Sequence, residues 1–478
     1  AIELAPFDVE YGGFTACNIN AVTKSGTNEI GGSVFYDYTS NDLQGDSLEG
    51  SDVLSPDFDE IRYGAQIGGP IIKDKLFYSV TYEKLEGSNV FTRGPLGSGA
   101  INEVNITQAE LDEILRIARD VYQYDPGEIP GSFDNEDEKL LVKLDWNINE
   151  QHRAAFTYNY VDGFNTVQSD GDIDEFEFSN HLYERGSELN QVVGFLYSDW
   201  TDNFSTEIRL GHVDIENRQN SIGGTDFGEI TIETDDVDVY IGGDDSRQSN
   251  ELNYTITSMA FKGFYQFKDH SFTFGYEREE YDIFNLFVQH TETEIDFDGR
   301  PAVVDPTDTR DAAIVNFELG LADNVNYNNA PSFNPQDAAA DWGYAVNTLY
   351  FQDEFDLTDR VSVIAGLRYD FWQTDDAPVT NADFLADYGF SNGQTLDGAG
   401  LIQPRFAFTY DAADNLNIRG GFGLYSGGDP NVWLSNNYSN NNVLQFGQDG
   451  GDFGLEDGQT SLFDIDYTQC EDGVPVGP

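Results

Sequence analysis

At 478 residues the chain is long enough for two or three ordinary domains, and 87 acidic against 24 basic residues give it a formal net charge of −63. Such a charge argues against nucleic acid as a partner, because a phosphate backbone is bound through a basic footprint. No run of roughly eighteen apolar residues predicts a transmembrane helix. The two cysteines, Cys17 and Cys470, lie too far apart for a metal ribbon or CxxC motif and are left to external partners or as free thiols.

Taken in chain order, the first 28 residues do not alternate between apolar and polar. From Gly31 onward, about thirteen segments do, each over roughly ten positions, as expected of half-buried strands. Leu140, Val142, Leu144 and Trp146 oppose Lys139, Lys143, Asp145 and Asn147; Val363, Ala365, Leu367 and Tyr369 oppose Ser362, Gly366, Arg368 and Asp370. The connections alternate too. Tight turns fall at Ile72–Lys75, Thr201–Phe204, Lys268–His270, Thr358–Arg360 and Asp411–Asp414, whereas every other connection is a long acidic stretch. Short turns at one end and long loops at the other are the asymmetry of an antiparallel outer-membrane β-barrel; a soluble sandwich has no reason to confine long loops to one end.

On that reading the charges in mid-strand face a watery lumen, which nominates Arg368, Asp370, Arg405 and Arg419 as ligand contacts, or as plug–barrel or cross-strand ion pairs. Rings such as Phe35, Tyr36, Tyr38, Tyr158, Tyr160, Tyr369, Phe371 and Trp372 are expected in interfacial girdles or cross-strand packing. The long loops, 87–135, 220–250, 288–341 and 428–478 among them, are expected outside the cell, their acidity suited to salty surroundings or to divalent cations.

Two loop features stand out. Thr107 to Tyr124 predicts a helix with a Thr107/Glu110 capping box and Leu111, Leu115, Ala118 and Tyr122 on one face, a lid-like or packing element. Thr231 to Asp245 predicts a projecting β-hairpin with carboxylates at its tip, where Asp235, Asp236, Asp238, Asp244 and Asp245 are candidate calcium ligands despite lacking EF-hand spacing. No other cofactor is expected. The five histidines are scattered without an HExxH, no GxSxG or phosphate loop occurs, and paired carboxylates are uninformative in so acidic a chain, so no enzymatic activity is expected.

The opening segment carries Glu10-Tyr11-Gly12-Gly13-Phe14 and Ile19-Asn20-Ala21-Val22-Thr23-Lys24-Ser25-Gly26-Thr27-Asn28. It resembles the junction between plug and barrel in TonB-dependent outer-membrane receptors, most of all their Oar-like branch. Gly68-Gly69-Pro70-Ile71-Ile72-Lys73-Asp74-Lys75 resembles the first periplasmic hairpin of that branch, and Phe351–Phe355, Gly366–Asp370, Gln403–Phe406 and Arg419–Gly423 resemble later strands.

The resemblance implies an all-β fold: residues 1–28 the end of a plug, 29–427 a partial transmembrane barrel of about thirteen of about twenty-two strands, and 428–478 a truncated extracellular loop. With Ala1 first and Pro478 inside a loop, the chain is expected to be a fragment whose two open sheet edges preclude transport on its own. It also implies residence in a Gram-negative outer membrane, contact with lipid, energised uptake of an unidentified extracellular ligand, and coupling to the TonB complex through a preceding N-terminal region. The alternative from another class is a surface adhesion or structural protein, which the Oar-like resemblance keeps open.

Overall fold

The computed structural model describes residues 2–4, 6–14, 17–19, 21–45, 47–52, 57–299, 307–428, 431–448, 461–464, 470–471 and 474–475. Thirteen strands form one antiparallel sheet: β1 (Gly31–Ser40), β2 (Asp59–Ile72), β3 (Leu76–Val90), β4 (Ser132–Asn147), β5 (His152–Val167), β6 (Tyr183–Thr201), β7 (Phe204–Ser221), β8 (Ser249–Phe267), β9 (His270–Val288), β10 (Ala340–Thr358), β11 (Val361–Gln373), β12 (Gly400–Ala413) and β13 (Leu416–Gly423). Each pairs with its neighbours in sequence, so the sheet is a simple meander, and β1 and β13 are its two edges. The wall is therefore open.

Alternation places the side chains as the sequence predicts. Trp146, Leu210, Leu349, Leu367, Ile402 and Phe422 stand exposed on one face. So large an apolar surface is unfavourable in water and needs lipid against it. The opposite face carries Lys143, Arg209, Lys262, Glu277, Arg368 and Arg405. Trp372 departs from the girdle expectation: it faces inward and packs with Trp342, Tyr344, Leu434 and Tyr438, because helix Asn431–Ser439 folds back over the loop end of β9 and β10. The last tight turn also shifts, to Asp414-Asn415, because a register irregularity between Asp411 and Ala413 lets the strand run on.

The long connections do not hang as separate loops. Segments Glu175–Glu177, Asp238–Ile241, Glu229–Glu233, Glu294–Phe297, Asn324–Asn329 and Phe446–Gln448 pair, in that order, into a second, mixed sheet of six strands. They come from three connections between barrel strands and from the stretch after β13. Helix α1 (Gln108–Asp120) and helix α2 (Ala312–Leu319) pack on this sheet. Phe176, Phe178, Ile232, Ile241, Phe297 and Phe317 are almost fully enclosed in a hydrophobic core of their own. We refer to this unit as the cap.

Helix α1 has the predicted capping box: Thr107 Oγ1 accepts from the Glu110 amide at 3.3 Å, and Glu110 accepts from the Thr107 amide at 2.8 Å. Its buried face is Leu111, Ile114, Ile117 and Ala118, with Leu115 and Tyr122 packed beside it. The helix is thus a wall of the cap core and not a lid.

The hairpin expected to project also differs. Its strands, Glu229–Glu233 and Asp238–Ile241, lie in the middle of the cap sheet with Ile230, Ile232, Val239 and Ile241 at most 2% exposed. Alternating hydrophobic residues on a long loop need a partner surface, and here the neighbouring loops supply it.

Candidate functional site

Residues 6–14 run along the inner face of β10 to β12. A segment crossing a lumen must satisfy its backbone groups without a sheet of its own, and the wall's side chains do this. The Val9 amide donates to Gln352 Oε1 at 3.0 Å and Gln352 Nε2 donates to Asp8 Oδ1 at 2.6 Å. Arg405 Nη1 donates to the Asp8 carbonyl at 2.6 Å, and Arg368 Nη1 to the Val9 carbonyl at 3.2 Å. Lys262 on β8 pairs with Glu10.

Behind this contact lies a buried network. Asp370 Oδ1 lies 2.9 Å from Arg368 Nε and accepts from Thr348 at 2.7 Å, while its Oδ2 accepts from Gln403 at 2.5 Å and from Ser426 at 3.0 Å. A buried charge is tolerable when paired and hydrogen-bonded on all sides, and Asp370 meets that condition. The Arg405 guanidinium also stacks over Tyr425 at 4.4 Å, and Tyr425 in turn meets Phe14 at 5.4 Å.

Two glycines make the approach possible. A Cβ on Gly366 would come within 2.4 Å of Val9 Cγ1, and one on Gly12 within 2.4 Å of the Arg368 guanidinium carbon. A side chain at Gly366 would push Val9 off the wall, and one at Gly12 would displace the Arg368 guanidinium from its place against the segment.

Of the four lumen candidates, the structure brings Arg368, Asp370 and Arg405 into one cluster against the segment. Arg419 stands apart, exposed on the edge strand β13, its Nε donating to Asn417 Oδ1 at 3.2 Å. Its place in the alternation is right, but the segment meets this strand two residues further on, where Phe7 lies against Gly421.

The junction motif divides in the same way. Tyr11, Gly12, Gly13, Val22 and Thr23 border the lumen; Lys143 Nζ donates to Ser25 Oγ at 3.0 Å and to the Thr23 carbonyl at 3.4 Å. Gly26 lies close against the Tyr78 carbonyl, Lys24 is exposed, and Asn20 lies outside the described residues, as do the side chains of Cys17 and Cys470. Asn28 clasps the first tight turn, donating to Asp74 Oδ1 at 2.6 Å and accepting from the Asp74 amide at 2.7 Å.

Beside the segment, the inner face of the wall borders a cavity of about 880 Å³. Lys143, Arg153, Arg209, Lys262 and Arg368 line it together with Glu10, Asp145, Glu207, Glu277, Glu279 and Asp370. In a chain this acidic, so even a balance of signs is a local feature, suited to a polar solute. Gln352, Gln403, Lys143 and Lys262 were not singled out from the sequence as site residues. Their inward parity in alternating strands was the available signal.

The five proposed calcium ligands do not converge. Asp235 and Asp236 are exposed at the hairpin turn, Asp238 is half-buried beside them, and Asp244 and Asp245 lie at the far end of the second strand, facing different neighbours. A hairpin separates its turn from its open end by the length of its strands, so one ion cannot reach both groups.

An antiparallel wall with a lipid-facing apolar surface, a charged lumen and a segment threaded inside it defines a plugged outer-membrane barrel. Residues 22–93 and 126–452 match the family model described as an outer membrane beta barrel domain, and the chain belongs to that family. It is 32% identical over 166 residues to the TonB-dependent transporter Oar of Myxococcus xanthus, a match covering 31% of this chain and 14% of Oar.

In fold it is similar to the outer membrane transporter YddB of Escherichia coli, with a TM-score of 0.56 and 14% identity over 93% of this chain and 49% of that one. The ferric enterobactin receptor PfeA of Pseudomonas aeruginosa is similar with a TM-score of 0.51 and 12% identity over 90% of this chain and 49% of that one. The chain thus spans about half the length of these solved structures. The TonB-dependent receptor resemblance read from the sequence holds, and the protein is one of the Gram-negative outer membrane.

Proposed function

We propose that this chain supplies the plug end and barrel wall of a receptor that takes up a polar ligand across the outer membrane, with work relayed by the TonB complex. The observation that carries the reading is the grip on residues 6–14: Gln352, Arg368 and Arg405 hold the segment through its Asp8 side chain and its backbone groups, contacts that can be exchanged for water when it moves. A permanent structural filler would be better served by apolar packing. Ligand capture falls to the cap and release to the charged cavity beneath it. Oar and the solved relatives are transporters and receptors by name, which supports uptake over surface adhesion.

The test is solute depletion. Cells expressing the complete protein and cells lacking it are grown on a defined mixture of peptides, saccharides and metal chelates, each with and without functional TonB. Expression should deplete at least one solute, and only when TonB is active; depletion that is the same without TonB, or none at all, would overturn energised uptake.

A further inference from the structure

Among the polar clusters of the cap, the most deeply buried is used by neither the wall nor its plug contact. Asp170 and His181 come from the connection between β5 and β6, Glu229 and Asp244 from the connection between β7 and β8. Each offers a donor atom, and the four donors lie within 4.8 Å of one another. His181 is 0% exposed, Asp244 1% and Glu229 3%, while Asp170 is half-buried. The imidazole Nε2 sits 3.1 Å from Asp170 Oδ2, the ring stacks on Tyr240 at 5.2 Å, and Nδ1 has no hydrogen-bond partner among the described residues.

Three carboxylates gathered in a protein interior repel one another and lose hydration, so they require positive charge nearby. Arg247, 3.3 Å from Asp244, supplies part of it from one side.

We propose that Asp170, His181, Glu229 and Asp244 bind one divalent d-block ion, of the zinc or manganese class, that staples the two connections together inside the cap. The donor set selects the class. An imidazole among carboxylates suits zinc, manganese or iron, whereas calcium takes an all-oxygen shell of six to eight ligands. The donor count selects a structural role, since four protein donors, three of them buried, complete a tetrahedral shell and leave no open position for a reacting solute. With two charges from the ion and one from Arg247, the three carboxylates are neutralised. The ligands come in pairs from two connections that already meet in the cap sheet, where Glu175–Glu177 pairs with Asp238–Ile241, and the bound ion adds its binding free energy to the folding of that junction.

The experiment uses the complete protein in detergent micelles, stripped with chelator and titrated separately with Zn²⁺, Mn²⁺ and Ca²⁺, with metal content read by mass spectrometry after gel filtration. One equivalent of Zn²⁺ or Mn²⁺ per chain should be retained, and the ion should slow proteolysis within the cap. His181→Ala and the near-isosteric Glu229→Gln should each weaken binding by more than the roughly 10- to 100-fold that loss of an outer-shell partner costs, while Asp235→Asn with Asp236→Asn should leave it unchanged. Because wild-type metal content does not depend on any variant folding, the decisive result is direct. No retained ion, retention of Ca²⁺ alone, or Zn²⁺ binding that survives both His181→Ala and Glu229→Gln would overturn the site.

Discussion

The barrel wall and the cap use the same hydrophobic residue types in opposite ways. In the wall, Leu349, Leu367 and Phe422 point outward and the interior is charged; in the cap, Phe176, Phe297 and Phe317 point inward and the exterior is acidic. Wall strands pair only with their neighbours in sequence and run up to 19 residues, as in Tyr183–Thr201. Three of the five cap pairings join different connections or the stretch after β13, and no cap strand is longer than the 6 residues of Asn324–Asn329. The difference teaches that the wall depends on lipid and on backbone pairing, whereas the cap depends on the hydrophobic effect in water.

The sharpest way to break this contrast is to excavate one region and read the other. Phe317 is fully buried, stacked on Tyr122 at 4.7 Å and edge-on to Phe297 at 5.3 Å. Phe317→Ala should cost the cap about 3–5 kcal/mol, seen as rapid proteolysis within residues 91–131 and 289–339 on intact cells, with membrane insertion of the wall unchanged. Loss of insertion as well would mean that cap and wall fold as one unit.

The reciprocal change is Leu367→Arg, which places a charge at mid-strand on the lipid face. It should cost about 2–4 kcal/mol and reduce the inserted fraction, whereas Leu367→Ile should not. If Leu367→Arg inserts normally, that face does not meet lipid.

Gly366→Val tests the inner face of the same strand. Its new Cβ would collide with Val9, so residues 6–14 should become protease-sensitive at a cost of roughly 1–3 kcal/mol for overpacking, with wall and cap intact. Unaltered protection of that segment would show that it is not held where Gly366 meets it.

The smallest expected effect is Thr107→Ala, which removes the cap of helix α1 and should lower cap stability by about 1 kcal/mol. Denaturation followed by cap-specific proteolysis should detect it, and Thr107→Ser should restore it. An effect as large as that of Phe317→Ala would mean that the helix terminus, and not the core, limits the cap.

Much of this molecule is determined locally and is legible in the sequence. Period-two alternation fixes which side of a strand meets lipid, turn chemistry fixes the meander, and Thr107 with Glu110 fixes where helix α1 begins, because each depends on residues a few positions apart. Arg368, Asp370 and Arg405 are readable as inward for the same reason. What only tertiary structure decided is what those residues meet. Val9 against Gly366, His181 beside Asp170, Glu229 and Asp244, and six short strands joined into one sheet all rest on contacts between distant parts of the chain. Strands of three to six residues carry too little periodicity to show their partners, and buried carboxylates look like any others in so acidic a sequence. The wall is a property of neighbouring residues, and the cap is a property of long connections that the paired strands bring together at the end opposite the tight turns.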